Sequence, residues 1–155
     1  MNTNSTNETI KKVIKQLSLV YYGFYALAVA LATLAYLMVG EYLAYSEPGT
    51  IETVLKSVYI LFLICSIPLV LKLFNLKVKK LSEIESLEEK IKKYRNYSLF
   101  RLLVIGVNLL LGVGFFYFLS SKSMLFCAGI AAIALVFCKP TVGKMESELE
   151  MDEEE

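Results

Sequence analysis

Arg101 and Asn108 stand seven positions apart inside "LFRLLVIGVNLLLGVGFFYFL", the otherwise apolar stretch from 99 to 119. A guanidinium and a carboxamide both need polar partners, and hydrocarbon offers none. Arg101 lies four residues into an apolar segment, ~6 Å along a helix. Lys72 mirrors it near the end of the preceding one. Two readings follow. Both cations snorkel to the inner headgroups and anchor the chain, or both share an inner-leaflet pocket with Tyr21, Tyr22 and Tyr25 that takes an anionic lipid headgroup. Asn108 is deeper and is expected to face another helix and hydrogen-bond there. Arg101, Asn108 and Gly112 recur at i, i+7 and i+11, so they mark one packing stripe.

Other chemistry lacks its residues. The chain has no His, which removes the usual base at neutral pH and the commonest metal ligand. No Asp or Glu lies inside the apolar segments, where a proton-coupled carrier would need one. Cys65, Cys127 and Cys138 sit in apolar runs without a CxxC pair and read as small hydrophobes. Neither a glycine-rich phosphate loop nor a nucleophile with a partnering base is present. A net charge of +1 gives no field for nucleic acid. The expectation is a protein that is not an enzyme and that uses no metal and no cofactor.

The elements that carry these residues are apolar blocks in a chain of 155 residues that is 56% hydrophobic. Four membrane spans are expected, at about 17–39, 58–74, 97–119 and 124–138. Residues 1–16 form an amphipathic arm, in which Ser5 and Glu8 fit a capping box that would start a helix near Thr6. Pro48 and Gly49 mark a turn between the first two spans. Pro68 lies within the second span and is expected to bend it. A "SSKS" turn at 120–123 joins the last two. The fourth span is short for a bilayer and leans on a snorkelling Lys139.

Residues 75–96 are the one long hydrophilic stretch between spans. Ile84, Leu87, Ile91 and Tyr94 form a single apolar stripe there, so an amphipathic helical connector is expected, continuing from the second span. The segment 140–155 is an acidic tail. Its last ten residues hold seven acids and no base, against seven bases and four acids in 75–96. The opposite charges offer a clasp between tail and connector, alongside the simpler reading of a solvated acidic end.

Orientation follows from lysine and arginine placement. Fourteen of the sixteen fall on one side if the arm, the connector and the tail share it; only Lys56 and Lys122 fall on the other. Both termini are therefore expected in the cytoplasm, with the chain in a bacterial inner membrane.

The "KK…LSLVYYGFYAL" entry, the "RLL" start of the third span and "KPTVGKMESEL" after the fourth resemble small four-helix integral membrane proteins of Bacteroidota. That resemblance implies a shared architecture and supplies no activity. Small four-helix multidrug exporters are similar in size but depend on a Glu embedded in the first helix, and 17–39 holds none.

The expected fold is all-α: a four-helix transmembrane bundle of two hairpins with a cytoplasmic amphipathic helical connector. The expected function is a non-enzymatic scaffold or accessory subunit, with a small oligomeric transporter or channel as the alternative. Its expected partners are membrane lipids, together with a second copy or another membrane protein, and no nucleic acid.

Overall fold

The computed structural model describes residues 3–39, 49–81, 83–119 and 121–149, with the side chains of 3–5, 38 and 39 outside that set. The expected turn residue Pro48, Ser120 of the short turn and the acidic residues 150–155 lie outside the described residues, as does the side chain of Ser5. Among the described residues there are five helices: α1 (Thr3–Val39), α2 (Thr50–Lys79), α3 (Leu87–Phe118), α4 (Lys122–Phe137) and α5 (Val142–Glu148). No strand occurs among the described residues.

Helix α1 is continuous from Thr3, upstream of the expected start near Thr6, so the arm and the first apolar segment form one rod. Ile10, Val13, Leu17, Tyr21 and Ala28 face the core, at the spacing of one helical face. Helix α2 begins at Thr50, eight residues before the expected span, and runs through Pro68 to Lys79.

The hydrophilic stretch 75–96 is not a separate connector helix. Its first residues finish α2 and those from Leu87 onward start α3. Between them the backbone turns, with Leu81 N–H donating to Val78 O at 2.8 Å and Ile84 N–H to Leu81 O at 3.1 Å. The break falls where charge suits two helix ends. Lys77 and Lys79 occupy the last turn of α2, and Glu88 and Glu89 the first turn of α3, each complementing the local dipole. Leu81 is buried and pins the turn to the core.

Three helices, α1, α2 and α3, are long and apolar enough to cross a membrane. Helix α4 has 16 residues and reaches ~24 Å, short of a hydrocarbon core ~30 Å thick. It joins α5 across a 75° bend. Lys144 Nζ donates to Phe137 O at 2.7 Å across that bend, satisfying a carbonyl that the end of α4 leaves open.

Helix α3 is the hub. It packs against α1, α2 and α4, while α1 and α2, consecutive in sequence, share no extended face. The ring pair Tyr59–Phe115, the bond between Asn108 and Ser66, and the stacking of Arg101 on Phe74 run down one helix and up the other. Helices α2 and α3 are therefore antiparallel neighbours, where the sequence had suggested pairing of the first two spans.

Candidate functional site

The buried face of α3 carries Ile91, Tyr94, Ser98, Arg101, Ile105, Asn108 and Gly112. These positions alternate steps of three and four, the seam of a heptad repeat. An apolar seam would pack without demands. This one contains a hydroxyl, a guanidinium and an amide, so each requires a partner from a neighbouring helix.

Arg101 is 4% exposed, its guanidinium enclosed by protein. Its guanidinium carbon lies 3.6 Å from the centroid of the Phe74 ring on α2, a cation–π contact strengthened by exclusion of water. Its Nη1 stands 4.0 Å from Oε1 of Glu148 on α5. The other carboxylate oxygen of Glu148 accepts a hydrogen bond of 2.6 Å from the Tyr94 hydroxyl. Tyr94 in turn packs edge-on against Phe74, with ring centroids 5.9 Å apart. Glu148 is held there because Met145 on the same short helix and Leu149 at its C-cap are buried. Arg101 Nε has no hydrogen-bond partner among the described residues.

Asn108 forms the second polar point. Its Nδ2 donates to Ser66 Oγ on α2 at 3.0 Å and to Val104 O at 2.9 Å. The Tyr59 hydroxyl, also from α2, donates to Asn108 O at 2.7 Å. Two side chains of α2 thus bracket one residue of α3, and Asn108 Oδ1 has no partner among the described residues.

Glycines set the distance to the other neighbours. A Cβ at Gly106 would run into the Phe24 ring of α1. One at Gly112 would lie 2.9 Å from Ala128 Cα on α4 and 2.9 Å from the Tyr59 hydroxyl. The α3–α4 contact is therefore a backbone-to-backbone approach that only a small residue permits. Ala132, one turn beyond Ala128, offers its carbonyl to the Tyr25 hydroxyl at 2.8 Å, tying α1 to α4.

The six sequence-derived residues do not converge on one pocket. Arg101 and Asn108 lie on the same seam, each with its own partners. Lys72 is exposed. Tyr21 is buried, Tyr22 is 56% exposed, and Tyr25 is spent on Ala132. Residues without a distinguishing sequence signal complete the sites: Phe74, Ser66, Tyr59 and Glu148. Only for Glu148 is there a hint, because Val142, Met145 and Leu149 around it repeat at helical spacing.

The charged residues of 75–96 stay largely in solvent, Lys93 pairing with Glu89 at 2.7 Å on the helix surface. Among the described residues, Glu148 of the tail reaches the hydrophilic stretch at Tyr94, at the base of α3; the acids 150–155, on which the rest of the expected clasp falls, lie outside the described residues. Cys65 is exposed while Cys127 and Cys138 are buried, and all three are free thiols. No group of metal-ligating side chains occurs among the described residues.

Comparisons with family models, with curated proteins and with solved structures gave no match.

Proposed function

We propose that this protein is a non-enzymatic integral membrane scaffold or accessory subunit, whose working surfaces are the outward apolar faces of α1 and α2. One observation supports it above the rest. Only 17% of the apolar window of α1, and 17% of that of α2, is buried, against 39% for α3. Large side chains such as Leu27, Leu34, Phe62 and Leu69 point away from the core, leaving two long faces for lipid and for a partner helix.

The interior polar groups argue for the same reading. Ser66 and Asn108 bond to each other between α2 and α3, while Thr33, exposed on α1, returns its hydroxyl to Val29 O. They serve packing and do not line a path for a solute. In this reading α4, with the bent α5, completes a fourth crossing, and the lysine-rich ends hold both termini on the cytoplasmic side of an inner membrane.

The test is a photo-crosslinking amino acid placed at Leu27 on α1 and at Phe62 on α2, in living cells. A discrete adduct with a protein, or with a second copy of the chain, is expected at one of the two faces. Lipid adducts alone at both positions would overturn the proposal.

A further inference from the structure

A groove of about 340 Å³ opens between α2 and α3. Its walls are Val70, Leu73, Phe74, Tyr97 and Phe100, and among the described residues Lys77 is the one charged residue that lines it. The volume is within the range of about 300–1,000 Å³ typical of small-molecule sites. Along α2 the groove is graded. Val70 and Leu73 lie in the apolar run, and Lys77 follows seven positions after Val70, ~10 Å nearer the lysine-rich end. Phe74 forms part of the wall, and its ring also carries the Arg101 guanidinium 3.6 Å away.

We propose that this groove holds an anionic phospholipid, one acyl chain against Val70, Leu73 and Phe100 and the phosphate on the Lys77 ammonium. The proposal rests on the membrane reading above, which makes lipid the surrounding solvent. The separation of apolar wall and single cation along the helix axis matches the order of chain and headgroup in a phospholipid. An ammonium at the polar end favours a net negative headgroup over a zwitterionic one.

Native mass spectrometry of the full chain, released from detergent with added palmitoyl-oleoyl phosphatidylglycerol or phosphatidylcholine, tests it. The wild type is expected to retain phosphatidylglycerol at least fivefold better. Lys77→Gln is expected to abolish that preference, and Lys72→Gln, an exposed lysine of the same helix that does not line the groove, to leave it intact. Leu73→Trp, which fills the groove from a partly exposed position, is expected to lower retention of both lipids. Equal retention of the two lipids by the wild type overturns the proposal. So does an equal loss in the two lysine variants, which would mark general surface charge. Displacement of the lipid by inorganic phosphate alone would make this a free-anion site, and a dimer broken by Leu73→Trp would give the groove to a second copy; either result overturns it. Recovery of the chain as a monodisperse species without detergent, read before any lipid is added, would sink the membrane reading instead.

Discussion

The Tyr94 hydroxyl donates to Glu148 across 54 positions of sequence at 2.6 Å, and the same carboxylate faces Arg101. One acid of α5 therefore answers two residues on the seam of α3. A buried guanidinium stripped of its acid costs about 3–5 kcal/mol. At a separation of 4.0 Å and with Glu148 23% exposed, about 2 kcal/mol is the fitting expectation for Glu148→Ala. Arg101→Met together with Glu148→Ala should cost less than the two single changes summed, because the double variant buries no orphaned charge. Unfolding in detergent, read as a double-mutant cycle, checks this, and strict additivity would refute the pairing.

Gly112→Ala should be more damaging than Gly114→Ala on the same helix. The first methyl meets Ala128 Cα, a backbone atom that cannot rotate aside, while nothing lies within 4 Å of the second. Overpacking of this kind costs about 1–3 kcal/mol. The nearest atoms to a methyl at Gly106 all belong to the Phe24 side chain, so Phe24→Ala should restore part of the stability lost in Gly106→Ala. Thermal unfolding of the set decides the order.

Tyr59→Phe and Ser66→Ala each remove one bond from α2 to Asn108. Interhelical hydrogen bonds between membrane helices are worth about 0.6–1.7 kcal/mol. Each change should therefore be mild, and Asn108→Ala, which removes the Asn108 side-chain bond to Ser66 and opens a void, should exceed Ser66→Ala. A loss in Ser66→Ala equal to that in Asn108→Ala would contradict this.

The thiols should react in a set order. Cys65 faces outward and Cys127 and Cys138 are enclosed. In detergent a small maleimide should modify Cys65 first and the other two only on unfolding. In intact membranes a charged, water-soluble reagent should leave Cys127 untouched; its rapid labelling would indicate a water-filled path and favour the channel reading. Mass spectrometry of the labelled protein reports both.

The sequence made some of this architecture readable and hid the rest. Apolar runs announce three long helices because hydrocarbon tolerates little else. Asn108 could be placed against another helix for the same reason, since lipid cannot satisfy an amide. The stripe of Arg101, Asn108 and Gly112 was also readable and is buried on α3, but the partners of Arg101 were not. A cation close to a segment end has a cheap route to the headgroups, and no local pattern distinguishes that route from a partner on a distant helix. Glu148 was equally hidden among seven tail acids. The split of 75–96 between α2 and α3 escaped because its apolar stripe continues into the seam of α3, so periodicity alone gives no boundary. Which helices neighbour one another was also unreadable, because Phe24 and Gly106, or Gly112 and Ala128, are complementary only in three dimensions.

Glu148 is also the last of these partners to be made. Glu148 follows Arg101 by 47 positions, so the guanidinium of α3 is synthesised before α4 and α5 and before its acid. The arginine contact therefore waits on the docking of α5, and a chain stopped before Glu148 lacks the carboxylate that faces Arg101.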